Sequence, residues 1–355
     1  MKDITLTSRN HRKGSPFIGK SGARLSALLS ERIVGQPDSL DAIVPYVQMY
    51  QSGLTPEGLP AGVFLLLGPT GTGKTRTVEA LAEVIHGSAK NVIRIDCGEF
   101  QLDHEVAKLI GAPPGYLGHR ETTPLLTQSR LNQVMSDRAN LAIVLFDEIE
   151  KAAPSMTRLL LGILDKGVLR LGDNTSVCFD RSMIFMTSNL GAREMARAIK
   201  PGFGFEAMTA DGSAAASTAD YARLEEIATA AVNRKFAPEF VNRIDAMLTY
   251  RPLDAGSMDQ ILDLLLEEIG NHVRRRLGDR MFYIELPKRA RRFLLEKGVS
   301  TEYGARELRR TLHRHLMQPL AAMMADGAIP PGAVVRVGTH TSGKRLEFTP
   351  LREAA

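Results

Sequence analysis

An α/β fold is predicted: a large domain built on a parallel sheet flanked by helices, followed by a small, mainly helical α+β domain. Three observations predict it. The apolar run Val63-Phe64-Leu65-Leu66-Leu67 enters the Gly-rich stretch Gly68-Pro69-Thr70-Gly71-Thr72-Gly73-Lys74-Thr75. A helical pattern follows, with Val78, Leu81, Ala82 and Ile85 on one face. Such a run without alternation reads as a strand buried on both faces, as in a parallel sheet. Two more runs of this kind, at Leu141–Phe146 and Ser182–Thr187, end in polar residues. From about Pro252 the chain turns to amphipathic helices and short alternating segments.

The chain's 355 residues suggest about two or three domains. The composition shifts divide it into an arm over 1–24, a large domain over 25–251 and a small domain over 252–355. The net charge of +5 is mild for this length and gives no argument for nucleic acid. Two cysteines, Cys97 and Cys178, without a C-x-x-C pair argue against a structural zinc site or a disulfide scaffold and fit the cytoplasm. No stretch reads as a membrane span, and no signal-peptide core opens the sequence.

The arm carries Lys2, Arg9, His11, Arg12, Lys13 and Lys20 against Asp3 and has no apolar period, so it reads as flexible. It also lacks the amphipathic face of a transit peptide. A short helix pattern runs from Leu25 to Arg32, then Ile33-Val34-Gly35-Gln36-Pro37, then a second helix with Leu40, Ile43, Val44 and Val47 inward. The Gly/Pro-rich piece Gly53–Gly62 leads into the first strand.

Strand, Gly-rich turn, helix is the context in which G-x-x-x-x-G-K-[ST] makes a phosphate-binding loop. Glycine lets the backbone wrap so that successive N–H groups face anionic oxygens, and the helix N-terminus adds partial positive charge. In that reading Gly68, Pro69, Thr70, Gly71, Thr72, Gly73, Lys74 and Thr75 bind the phosphates. Lys74 reaches the β- and γ-phosphates, and Thr75 holds Mg²⁺.

A strand at Asn91–Asp96 is followed by a helical stretch and then by Gly111-Ala112-Pro113-Pro114-Gly115-Tyr116-Leu117-Gly118, an exposed loop. Its Tyr116 either folds over a core or belongs to a mobile loop that grips something. The strand ending in Asp147-Glu148 puts two carboxylates at a sheet's C-terminal edge, where open α/β folds bind ligands. Asp147 would bind Mg²⁺, directly or through water, and Glu148 would deprotonate an attacking water. Asn189, past the next strand, aligns that water, touches the γ-phosphate, or caps the following helix. Residues 206–220 read as a flexible surface loop, preceded by the apolar patch Pro201-Gly202-Phe203-Gly204-Phe205.

In the small domain Ser257 and Gln260 form a candidate capping box. Met258, Ile261, Leu262, Leu265, Ile269 and Val273 then make one stripe, closed by Gly278. A short strand near Tyr283–Leu286 and a helix over Pro287–Lys297 follow. The next helix, Ala305–Ala325, is expected to kink at Pro319. Two strands, Val334–Val337 and Arg345–Phe348, are joined through Gly343.

Taken in order, Ile33–Gln36, the phosphate loop, Gly111–Gly118, Leu145–Lys151, Thr187–Gly191, Phe236–Asp245 and Tyr303–Leu308 resemble the Clp family of AAA+ unfoldases, in particular the second ATPase module of ClpB, ClpC and ClpA. The resemblance covers nearly the whole chain after Leu25. It implies a P-loop AAA+ large domain with a lid domain, and Mg²⁺-dependent ATP hydrolysis. Ile33 and Val34 would line the adenine site. Arg243 would be an arginine finger acting on a neighbouring copy, and Arg306 the lid's sensor arginine. Tyr116, with Leu117, would be the pore loop. Read from the residues alone, Arg243 is as readily an ion pair with Glu239 or Asp245, and Arg306 a surface residue beside Glu302 or Glu307.

The implied partners are further copies of this chain in a homo-oligomeric, hexameric ring, and unfolded or aggregated polypeptide. Phe203-Gly204-Phe205 sits where peptidase-partnered members carry a docking loop. The chain departs from the family after Gly118, at His119–Pro124, and in the second pore-loop region, Val168–Asn174. The competing classes are a regulator that does not translocate protein and a nucleic-acid remodelling ATPase. The latter is disfavoured by the absence of a DNA-binding motif or a basic stripe beyond the arm.

Overall fold

A computed structural model of the chain describes residues 22–111, 124–198, 218–298, 304–341 and 343–351. The arm to residue 21, Tyr116 and Leu117, and Phe203-Gly204-Phe205 lie outside the described residues.

The large domain opens with α1 (Gly22–Ser30) and α2 (Pro37–Gln51), then β1 (Gly62–Leu67), α3 (Lys74–His86) and β2 (Ile93–Asp96). Short helices α4 (Ala107–Ile110) and α5 (Gln128–Val134) lead to β3 (Ala142–Asp147). Helix α6 (Pro154–Lys166), a hairpin of β4 (Val168–Arg170) and β5 (Ser176–Cys178), and β6 (Ser182–Ser188) follow. The domain closes with α7 (Ala192–Ala198), α8 (Thr218–Lys235), α9 (Pro238–Val241) and β7 (Ala246–Thr249).

Five strands pair in the order β2-β3-β6-β1-β7, and every pairing is parallel. The apolar runs explain why: β1, β3 and β6 are buried at every position, so each needs cover on both faces. Alternate side chains divide between two cores, as a period of two requires. Phe64, Leu66, Ile143, Leu145, Met183 and Phe185 face the core closed by α1, α2 and α3. Val63, Leu65, Leu67, Val144, Phe146 and Met186 face the core closed by α5, α6, α8 and α9. Phe64 fixes the first core, stacked on Phe185 at 5.1 Å and meeting Tyr46 edge-on at 5.0 Å.

Parts of the large domain go beyond the sequence reading. Strand β7 had no signal of its own: its four residues are half-buried apart from Leu248, and only pairing with β1 makes them a strand. The region Val168–Asn174 begins an antiparallel hairpin, turned by Asn174 at φ 67° and by Asp173, whose Oδ1 accepts from Thr175 N at 2.9 Å. Of the loop read over 206–220, residues 206–217 lie outside the described residues, and the last three begin helix α8.

The small domain has its own core, with α10 (Ala255–Leu277), β8 (Tyr283–Glu285), α11 (Lys288–Gly298), α12 (Ala305–Leu312), α13 (Gln318–Ala325), β9 (Val334–Thr339) and β10 (Leu346–Leu351). Its sheet runs β10-β9-β8, antiparallel then parallel. The cap of α10 is Asp254, whose Oδ1 accepts from Ser257 N at 2.7 Å, not the Ser257/Gln260 box. In place of a kink at Pro319, a π turn over His313–Met317 joins α12 to α13. Pro319 has no N–H to return to the preceding turn, and the wider turn just ahead of it carries the helix through. Among the described residues no helix is long and apolar enough to cross a membrane.

Candidate functional site

Because the strands are parallel, β1, β3 and β6 end at one edge, in the register Leu67↔Ser188 and Phe146↔Met186. The polar residues that follow each strand therefore gather at one crevice, the place where open α/β sheets bind ligands.

The loop after β1 turns through left-handed backbone at Gly68 (φ 139°), Gly71 (φ 78°) and Gly73 (φ 108°). Gly68 has a second reason to be glycine, since a Cβ there would sit 2.6 Å from the Tyr250 carbonyl oxygen. Among the described residues no acceptor takes the N–H groups of Gly71, Thr72 and Gly73. A loop of unpaired donors ahead of the α3 N-terminus fits phosphate oxygens. The buried Lys74 ammonium donates to the Gly68 and Pro69 carbonyls at 2.6 and 2.9 Å and to Asn189 Oδ1 at 2.9 Å. Burial pushes its pKa down to about 8; Glu150 opposes that shift and the positive charge of Arg306 adds to it. Thr75 is half-buried at the start of α3.

Both oxygens of the buried Asp147 carboxylate accept hydrogen bonds, Oδ1 from Thr187 and Oδ2 from Arg94. A threonine hydroxyl and an aspartate carboxylate are hard oxygen donors, the kind that suits Mg²⁺. Glu148 adopts left-handed backbone at φ 58°, held by its N–H to Thr187 Oγ1 at 3.0 Å. Its carboxylate meets Lys151 Nζ at 2.5 Å and Asn189 Nδ2 at 3.5 Å.

The side chain of Asn189 is turned into this group and away from α7, which begins at Ala192, so it does not cap that helix. Its Oδ1 accepts from Lys74 and, at 3.5 Å, from Thr70 Oγ1. Ile33 is buried in the core beneath α1 and α2, while Val34 stays half-buried beside it. Arg243 pairs with Asp165 in the last turn of α6, not with Glu239 or with Asp245, whose Oδ2 instead takes Val63 N at 2.7 Å. Glu307 pairs with Arg310 rather than Arg306.

Sequence reasoning missed several residues that hold this site. The Gln36 amide donates to Thr72 O (3.2 Å) and Arg251 O (2.9 Å) and accepts from Arg251 N (3.0 Å). It thus ties the phosphate loop to the link between the domains. A second tie comes from the small domain: Ala305 N donates to Gly71 O at 3.1 Å. Gly304, at φ 49°, permits that approach, because a Cβ there would lie 2.8 Å from Gly71 O. The signal for Gln36, Glu150 and Thr187 was their place inside motifs already singled out. For Arg94 and Asp165 there was none.

A family model described as AAA domain (Cdc48 subfamily) matches residues 59–247, and one described as the C-terminal, D2-small domain of ClpB protein matches residues 253–337. The Chaperone protein ClpB of Rhizobium meliloti (strain 1021) is 38% identical over 325 residues, 92% of this chain and 34% of that protein. That of Meiothermus ruber is 35% identical over 331 residues, 93% of this chain and 36% of its own length. The chain thus spans about a third of the curated relatives it matches. A closed-state Hsp104 reconstruction with ATPγS and FITC casein superposes with a TM-score of 0.74 at 28% identity, covering 92% of this chain and 51% of that one.

Proposed function

The chain belongs to the AAA domain family, Cdc48 subfamily, built as a ClpB/Hsp104-type C-terminal ATPase module, and from that premise we propose that it hydrolyses ATP at the seams of a ring and uses the work to unfold or disaggregate protein. The observation that carries the reading is Asn189, which joins Lys74 and Thr70 of the phosphate loop to Glu148 of the β3 end. In this reading the loop N–H groups and Lys74 hold the phosphates. Thr75 and Asp147 would hold Mg²⁺, which would supply charge neutralisation at the triphosphate. Glu148 takes the proton of the attacking water, with Asn189 and Lys151 fixing its carboxylate. Ile33 and Val34 border the adenine, and Arg306 meets the nucleotide of its own subunit.

Arg243 then acts on the nucleotide of the next copy, so the working assembly is a homo-hexameric ring. Tyr116 and Leu117 line its pore and grip extended polypeptide by stacking, without reading its sequence. A peptidase, where one docks, meets Phe203-Gly204-Phe205. The proposed compartment is the cytoplasm, in keeping with two free cysteines.

The test is particle mass with a slowly hydrolysed ATP analogue, together with ATP turnover in the presence of unfolded casein or single-stranded DNA. Six-copy particles and stimulation by casein alone are expected, with remodelling lost in Tyr116→Ala. A solitary copy that hydrolyses ATP at full rate at every concentration overturns the ring. Stimulation by DNA alone overturns the choice of substrate, and full remodelling by Tyr116→Ala overturns the pore.

Lys74 supplies a pH prediction. Its pKa of about 8 in the nucleotide-free fold lies below the ordinary 10.5, so burying the ammonium costs stability below pH 8, and that cost is relieved as pH rises toward 10.5. Triphosphate beside it favours the charged form. Binding near pH 9 should therefore take up close to one proton, and affinity should fall as pH rises through 8. Calorimetry in two buffers of different ionisation heat checks this. An enthalpy independent of buffer contradicts it.

A further inference from the structure

We propose that Glu150 is a positioning residue of the hydrolytic centre, holding the Asn189 backbone so that the Asn189 amide meets Lys74, Thr70 and Glu148 together. The proposal rests on the ATPase reading above.

After β3 the chain turns sharply. Glu148 is left-handed, and a short 3₁₀ turn over Ile149–Lys151 closes with Lys151 N donating to Glu148 O at 2.9 Å. Ile149 is driven wholly into the core, and this anchors the turn. Glu150 is thereby brought back toward the end of the neighbouring strand. Asn189 lies one residue past β6, so its N–H has left the sheet ladder and needs an acceptor of its own. Glu150 Oε1 is that acceptor, at 3.0 Å. On its other side, the Asn189 carbonyl takes Ala192 N at 3.1 Å. With both backbone groups pinned, the side chain has few placements left, and the one adopted bridges the two halves of the site.

The other oxygen of Glu150 shows that this is no incidental surface contact. Oε2 is sealed from solvent and accepts no hydrogen bond among the described residues. An unsatisfied buried carboxylate oxygen is costly, and a side chain free to choose would turn it to water. Glu150 remains where Oε1 meets Asn189. Mispositioning by about 1 Å near reacting atoms can cost up to about 10²-fold in rate, which sets the scale expected here.

Three variants separate the hydrogen bond from the charge. Glu150→Gln keeps an acceptor for Asn189 N without the charge. Glu150→Asp keeps the charge but draws the oxygen back by one methylene. Glu150→Ala removes both. With the full chain, Glu150→Ala and Glu150→Asp should lower kcat by about 10- to 100-fold with ATP affinity within about threefold of wild type, and Glu150→Gln should recover most of the rate. In the protein without nucleotide the Asn189 backbone N–H should be protected from hydrogen exchange in wild type and Glu150→Gln and lose protection in the other two. If Glu150→Ala does not fold, the Asp and Gln pair decides. Unchanged kcat in Glu150→Asp, or Glu150→Gln as slow as Glu150→Asp, overturns the proposal. A wild type that hydrolyses no ATP overturns the ATPase reading instead and leaves the exchange result to judge Glu150.

Discussion

Replacing Arg243 with Ala is expected to lower ATP turnover by roughly 10³-fold or more while nucleotide binding stays near wild type, if Arg243 supplies what arginine fingers supply elsewhere. Arg243 follows α9, with its N–H on Phe240 O at 3.1 Å. Its side chain is half exposed and rests on Asp165. It therefore belongs to the surface of its own copy, where a residue serving a neighbour has to be. The Asp165 pair does not stand in the way, because an exposed pair is worth about 0–1 kcal/mol. A triphosphate brought against the guanidinium outbids that easily, offering bidentate geometry at higher charge. Arg243→Lys should restore little, because an ammonium keeps the charge and loses the fork. Mixing distinguishes a residue acting across a seam from one acting within its copy. Arg243→Ala copies have an intact phosphate loop, and Lys74→Ala copies keep Arg243. Each is expected to be nearly inactive alone, with part of the turnover returning when they are combined. Turnover by Arg243→Ala at the wild-type rate would remove Arg243 from the reaction, and no recovery from a mixture that assembles would confine its action to its own copy and overturn the seam.

The large domain was legible because burial on both faces leaves an unmistakable trace: β1, β3 and β6 carry no polar interruption until the functional residues begin. The change to polar residues therefore marked both the strand ends and the site. β7 left no such trace, since an edge strand of four residues is decided by its neighbour and not by its own pattern. Within the site, residues belonging to a local motif were readable, as with Lys74, Asp147 and Glu148. What held them was not. Arg94 reaches Asp147 from 53 residues away, and Gln36 reaches Arg251 across 215. No spacing rule connects such pairs, because the sheet order that joins them is settled only on folding. The same limit explains Arg243: Glu239 and Asp245 were near in sequence, while Asp165 is near in space.

Glu148→Gln is expected to bind ATP and to hydrolyse it about 10²- to 10⁴-fold more slowly, the range that general-base catalysis spans. The substitution is nearly isosteric, so its interpretation depends on what else changes. Left-handed backbone at a non-Gly residue costs on the order of 1–3 kcal/mol and persists only where the surroundings enforce it. Here they do: Thr187 Oγ1 accepts Glu148 N and Lys151 N closes on Glu148 O, and neither bond involves the side chain. The backbone should keep its place in the variant. The ion pair to Lys151 at 2.5 Å is lost, but Lys151 is half exposed and returns to water at little cost. The contact with Asn189 Nδ2 survives through the remaining carbonyl oxygen. What Gln cannot do is take a proton. Comparison with Glu150→Gln sharpens the assignment, because two residues along the same turn the identical loss of charge should leave most of the rate intact. A crossed result, with Glu150→Gln slow and Glu148→Gln turning over normally, would exchange the roles of the two acids. Single-turnover hydrolysis with nucleotide loaded in advance separates either outcome from a defect in binding, and slow hydrolysis there by Glu148→Gln alone would leave proton transfer as the step it has lost.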